Sequence, residues 1–189
     1  MSGAAALAGG FADPPIEAAR AFRAVLDAMA QPGTILRVEG AAPPAPLSPA
    51  DGVVALTLLD PETPLWLAPG LATEAVTAWL RFHTGAPLVD RPEAHFALGD
   101  WQAMQPLADW RIGTPDYPDR STTLIVEMPE LAQTGARLSG PGIDGEAHLS
   151  LPEVAAFQRN RALFPLGLDF LFTAGDRLAA LPRSTIVEG

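Results

Sequence analysis

Runs with helical spacing alternate with short apolar runs along the first half of this chain, and a hairpin pattern closes it. That order limits the fold more than any other feature, because helices inserted between strands pack on the faces of a sheet. Asp13-Pro14 reads as an N-cap and first-turn proline, and a helix is predicted from there to about Met29. Its Ala19, Phe22, Leu26 and Met29 recur at spacings of three and four and predict one apolar stripe. Gln31-Pro32-Gly33 ends the helix in a turn, and Thr34 to Val38 alternates as a strand. The four prolines between Ala41 and Pro49 make a rigid extended loop.

Ser48-Pro49 opens a second helix through Leu59 that is apolar on nearly every face and so reads as buried. Leu65-Trp66-Leu67 is a short buried strand. Thr73 and Glu74 open a third helix, with Val76, Trp79 and Leu80 on one side, ending near His83 before Gly85. Strands follow at Ala94 to Leu98 and at Thr122 to Met128, the latter β-branched and apolar. Between them, Gly99 to Arg120 has no regular period. Arg137-Leu138-Ser139 enters a Gly140-Pro141-Gly142 turn, and Pro152 to Leu163 is a helix. Leu168 to Thr173 and Arg177 to Leu181 flank Ala174-Gly175-Asp176, which is a hairpin signal. The expectation is an α/β fold: a mixed β-sheet covered by helices, in a single domain over residues 13–189. Residues 1–12, rich in Ala and Gly, read as a flexible tail. No positive charge precedes their short Ala-rich stretch, so a secretory signal is not expected.

Composition removes several chemistries. All 12 basic residues are arginines, and there is no lysine. A pyridoxal-phosphate Schiff base and a P-loop both need lysine, so neither is available. There is no cysteine, hence no disulfide, thiolate nucleophile or Cys-ligated metal. The net charge of −10 disfavours nucleic acid as a partner. No apolar run reaches the roughly 18 to 20 residues of a membrane span.

Six segments match a known family in order and spacing. They are Phe22-Arg23 to Met29 into Gln31-Pro32-Gly33; Leu56-Thr57-Leu58-Leu59-Asp60 with Thr63-Pro64-Leu65-Trp66-Leu67; and Leu80-Arg81-Phe82-His83-Thr84-Gly85-Ala86-Pro87-Leu88. Leu138-Ser139-Gly140-Pro141-Gly142-Ile143, Phe164-Pro165-Leu166-Gly167-Leu168-Asp169, and Leu181-Pro182-Arg183-Ser184-Thr185 with Val187-Glu188 complete the set. Together they resemble the PhnH family, the H subunit of the carbon–phosphorus lyase system of phosphonate degradation. No single segment is specific, and Gly99 to Arg120 matches loosely. The resemblance implies a cytoplasmic subunit of a core complex with G, I and J subunits, and a homodimer when isolated. It implies participation in displacing adenine from ATP by an alkylphosphonate, giving a ribose 1-phosphonate 5-triphosphate. It also implies a fold like the large domain of type I pyridoxal-phosphate transferases without the cofactor, in agreement with the missing lysine.

Few residues suggest chemistry of their own. Arg81 and His83 stand near a helix end before Gly85. They could hold a phosphonate or triphosphate, or simply favour a helix C-terminus, where a cation is worth about 0.3 to 1 kcal/mol; the helix-end reading is preferred. Asp169 opens the hairpin, and an acid beside an apolar strand needs a partner, for which Arg183 is the candidate. A structural ion pair is the leading reading of these two and a catalytic carboxylate the second. Gly140-Pro141-Gly142 could form an anion nest, but Pro141 removes a donor, so a tight turn is preferred. His95, within a strand-like run, and His148, in a loop-like region, lack metal-ligand spacing, and no metal or cofactor is expected. Ser121, Ser139, Ser150 and Ser184 lack a nucleophile elbow. Trp101, Trp110 and Tyr117 read as core, with an exposed partner-binding patch as the alternative. The chain is therefore expected to be a structural, stabilising subunit of an enzyme complex, inactive alone, with no nucleic-acid or membrane partner. The alternative is a phosphonate- or nucleotide-binding catalytic component using Arg81 and His83, joined by Arg183.

Overall fold

The structure, a computed structural model, describes residues 7–189. Among the described residues, four helices and nine strands follow in the order α1 (Pro14–Ala30), β1 (Leu36–Arg37), α2 (Pro49–Leu58), β2 (Leu65–Leu67), α3 (Glu74–Thr84), β3 (Phe96–Asp100), β4 (Thr123–Glu127), β5 (Ala136–Ser139), β6 (Ala147–Leu149), α4 (Val154–Arg161), β7 (Asp169–Ala174), β8 (Arg177–Leu181) and β9 (Ile186–Glu188). Six strands form one mixed sheet in the order β1-β8-β7-β4-β3-β2. β2, β3, β4 and β7 run parallel, while β8 and β1 are antiparallel additions. A small antiparallel sheet, β6-β5-β9, stands apart from it. No described helix is long and apolar enough to cross a membrane.

Strand periodicity divides the interior into two cores, because successive side chains point to opposite faces. Leu98, Ile125, Leu171, Leu178 and Ala180 meet α1, α2 and α3 on one face. Ala97, Leu124, Val126, Phe170, Phe172, Ala179 and Leu181 meet α4 and the small sheet on the other, packing with Phe157, Leu138 and Val187. Local signals set most boundaries. Ser48 and Asp51 form a capping box at the start of α2, and Thr73 caps α3 through the Val76 N–H. Gly85 ends α3 at φ +69°, the left-handed conformation that a side chain resists.

Several expectations are corrected. The core-facing side of α1 is Ala21, Val25 and Ala28, not the larger stripe; Phe22 and Leu26 are 47% and 48% exposed. Small residues let α1 approach α2 and β8 closely, and that approach decides the buried face. β3 starts at Phe96, so His95 precedes the strand rather than lying in it, and His148 lies in β6, not in a loop. β6 and β9 have no counterpart in the sequence reading, and the first strand shortens to Leu36–Arg37. The irregular Gly99 to Arg120 stretch carries two 3-10 turns, Leu107–Asp109 and Pro118–Arg120. It is gathered by Arg91, whose guanidinium lies 4.9 Å from the rings of both Trp66 and Trp110 and donates to the Ala103 and Gln105 carbonyls at 2.6 and 3.0 Å. Trp110 is buried and Trp101 packs on Phe157, as core; Tyr117 is exposed.

Of the expected flexible tail, residues 1–6 lie outside the described residues. Its described part is bonded to the body: Ala8 and Leu7 carbonyls accept from α3, and the Gly9 carbonyl accepts from Ala42 N–H at 2.8 Å.

Candidate functional site

Arg81 and His83 both lie in the last turn of α3. Two positions on a helix are about 200° apart, so such a pair diverges instead of converging on one ligand. Arg81 is exposed. The His83 ring lies 4.8 Å from Trp79, and its Nε2 is 2.8 Å from the Leu7 carbonyl. A carbonyl only accepts, so Nε2 carries the proton and donates it. No hydrogen bond within the described residues joins this pair to Asp169 or Arg183.

Asp169 and Arg183 do come together. Asp169 opens β7, and Arg183 follows β8 two residues after Leu181, so the hairpin returns the arginine to the acid. Arg183 donates its backbone N–H at 2.8 Å and its Nε–H at 3.1 and 3.2 Å to the carboxylate, with Nη2 at 2.5 Å. Nη1 donates to the Pro118 carbonyl at 2.7 Å, and Nη2 also reaches Ser121 Oγ. The ion pair thereby ties the end of the sheet to the loop of residues 111–121. That loop closes on itself: Ile112 and Ser121 bridge, Thr122 N–H donates to the Arg111 carbonyl at 2.8 Å, and Gly167 N–H donates to the Ile112 carbonyl at 3.0 Å. Gly113 sits at φ +83°, where a Cβ would come within 2.5 Å of the Pro118 carbonyl oxygen.

Beside this clamp, at the amino ends of β3 and β4, is a cleft of about 540 Å³ lined by His95, Phe96, Arg111, Asp119, Arg120, Ser121 and Thr123. Sequence reasoning considered His95 only as a metal ligand and Ser121 only as a nucleophile, and passed over both arginines. Their residues come from separate, aperiodic segments, so no spacing signals them.

The opposite, carboxyl edge of the parallel strands is acidic. Asp100, Glu127 and Thr173 are register neighbours there, and the fully buried Asp51 of α2 accepts from Thr173 Oγ1 at 2.6 Å and from Ser48 N–H at 3.1 Å. Burial holds the Asp51 carboxyl above its ordinary range. Burial, then the negative charges of Asp51 and Asp100, push Glu127 up to about 7. This group was also missed; its one sequence signal is an acid at the third position of a capped helix.

The remaining candidates are structural. Gly142, at φ +81° in the Gly140-Pro141-Gly142 turn, presses against the Ala30 carbonyl at the end of α1. Among the described residues no group of three or more His, Asp or Glu side chains could hold a metal. Fold and site thus define a lysine-free α/β protein with a clamped, arginine-lined cleft and no assembled nucleophile–base set among the described residues.

Comparison with known proteins gives this class a family. A family model described as the bacterial phosphonate metabolism protein (PhnH) matches residues 9–188. The chain is 45% identical over 190 residues to the alpha-D-ribose 1-methylphosphonate 5-triphosphate synthase subunit PhnH of Rhizobium meliloti (strain 1021), covering 95% of this chain and 94% of the relative. It is 29% identical over 174 residues to HtxG of Stutzerimonas stutzeri, described as a candidate C-P lyase subunit protein, covering 89% of this chain and 84% of that one. The chain belongs to the PhnH family.

Proposed function

We propose that this chain is a structural and stabilising subunit of a carbon–phosphorus lyase core complex, supporting formation of ribose 1-phosphonate 5-triphosphate from ATP and an alkylphosphonate. The family match over nearly the whole chain supports the complex. The observation that carries the structural role is that His83, Asp169 and Arg183 spend their polar atoms on the chain itself. Its partners are the G, I and J subunits in the cytoplasm, and the isolated chain is a homodimer. The fold resembles the large domain of type I pyridoxal-phosphate transferases without the cofactor, a reading that the absence of any lysine supports.

Co-purification with the G, I and J subunits, followed by an assay with ATP and methylphosphonate, tests this. The expected result is a complex whose activity falls when this chain is omitted, and no turnover by the chain alone. Turnover by the isolated chain, or failure to assemble, overturns it. The second reading, a phosphonate- or nucleotide-binding catalytic component using Arg81 and His83, has the exposure of Arg81 in its favour. Arg81→Glu would then abolish ligand binding without lowering Tm.

A further inference from the structure

We propose that the cleft between Arg111 and Arg120 is a binding site for the phosphorus oxyanion of a small ligand, a phosphonate or the phosphate end of a nucleotide. The ligand class rests on the proposed function; the site itself rests on geometry.

The two guanidiniums are placed for an external anion. Neither Arg111 nor Arg120 has a carboxylate within 4.0 Å among the described residues; Arg20, Arg23, Arg81, Arg161 and Arg177 share that lack, but Arg111 and Arg120 line one cleft together. Arg120 instead lies 3.9 Å above the Tyr117 ring. Stacking fixes the plane of the guanidinium and leaves its N–H edge free, the edge that matches phosphoryl oxygens two at a time. Ser121 Oγ accepts from Arg183, so its own proton is available to donate into the cleft it lines. Thr123 adds a second hydroxyl. Asp119 also lines the cleft and offsets the two positive charges only in part, so the cleft keeps a net positive charge for an anion.

The site is also built in advance. Arg183 holds Pro118 and Ser121, the Ile112–Ser121 bridge closes the loop, and Gly113 permits its tight approach. A loop already ordered loses little entropy when a ligand arrives. Charge distinguishes the two ends of the sheet. In α/β sheets ligands most often sit at the carboxyl ends of the strands. Here that edge carries the carboxyls of Asp51, Asp100 and Glu127 and no arginine among these register neighbours, while the amino edge carries Arg111 and Arg120. A second cleft with arginines, Arg20 and Arg37, also contains Glu17 and Glu39, and Arg37 is already paired with Asp176 at 2.6 Å.

Titration of the purified full chain with methylphosphonate, tripolyphosphate and ATP in parallel tests the site. Saturable binding by one or more is expected, and comparing methylphosphonate with the polyphosphates separates a phosphonate source from a nucleotide one. Arg111→Gln and Arg120→Gln should each weaken that binding by about ten- to a hundredfold, with Tm unchanged, whereas Arg23→Gln, an exposed position on α1 outside the cleft, should leave it intact. Absence of saturable binding by all three probes overturns the proposal, as does equal weakening by Arg23→Gln. Co-purification of Arg111→Gln with the partner subunits is scored separately. If the wild-type chain binds oxyanions but assembles with no partner, the complex reading fails and the site stands; assembly without binding gives the reverse.

Discussion

At the scale of single residues, the Asp169–Arg183 pair sets the balance between charge and burial. Its side chains are 19% and 12% exposed, so removing one member leaves the other poorly solvated. Arg183→Met is expected to lower stability by about 2–3 kcal/mol, or roughly 5–10 °C in Tm for a chain of this size, measured by thermal unfolding. Arg183→Lys should recover only part of this, because one ammonium cannot reach Asp169, Pro118 and Ser121 together. Glu127 gives a dependence on pH. Its carboxyl is raised from 4.5 to about 7, so below pH 4.5 it is protonated in both folded and unfolded chains. As pH rises from 4.5 to 7 the unfolded chain releases the proton first, which draws the equilibrium toward unfolding. Stability is fully present below 4.5 and is lost as pH rises through about 7. Glu127 is partly solvated, and screening reduces the effect to on the order of 1 kcal/mol. Glu127→Gln should flatten the slope of Tm between pH 5 and 8, with a residual slope from Asp51, which is raised in the same direction. An unchanged slope would remove Glu127 from the account.

At the scale of elements, α2 depends on a reciprocal cap. Ser48 Oγ accepts from Asp51 N–H at 3.2 Å, and the Asp51 carboxylate accepts from Ser48 N–H. Ser48→Ala should cost about 1–2 kcal/mol in urea unfolding, since a helix buried on the sheet has no water to replace the lost acceptor. Devices of this kind were legible in the sequence because they are local. The Ser48-Pro49 start, the Gly85 stop and the hairpin around Gly175-Asp176 lie within a few residues of their causes. β9 was not legible, because Ile186, Val187 and Glu188 pair with β5 residues about 50 positions earlier, and three residues carry no period. The buried face of α1 was not legible either: the larger side chains Phe22 and Leu26 dominate the pattern, while close packing favours Ala21, Val25 and Ala28. The site divides in the same way. Asp169 and Arg183 flank one hairpin and could be paired on paper. Arg111, Arg120 and His95 meet only after a loop, a 3-10 turn and two parallel strands are in place.

At the scale of the whole molecule, one sheet joins two cores that share no other continuous layer. Leu171 points into the core under α1, α2 and α3, and its neighbours Phe170 and Phe172 point into the core with α4. Neither face can dissolve without stripping the same six strands, so residues 13–189 should unfold as a single domain in one step. The four tryptophans are natural reporters of this coupling. Trp79 lies in the first core, Trp110 and Trp101 in or against the second, and Trp66 packs against both. Biosynthetic replacement by 5-fluorotryptophan gives each its own 19F resonance without a mutation. All four native resonances are expected to vanish at one urea midpoint with one slope. Saturation of the arginine cleft at the strand ends should shift all four together, because a ligand that binds only the folded state stabilises every element coupled to that state. Separate midpoints for Trp79 and Trp110 would show two layers that unfold independently. The single-domain reading would then give way to a sheet whose two faces are stabilised by different partners in the assembled complex.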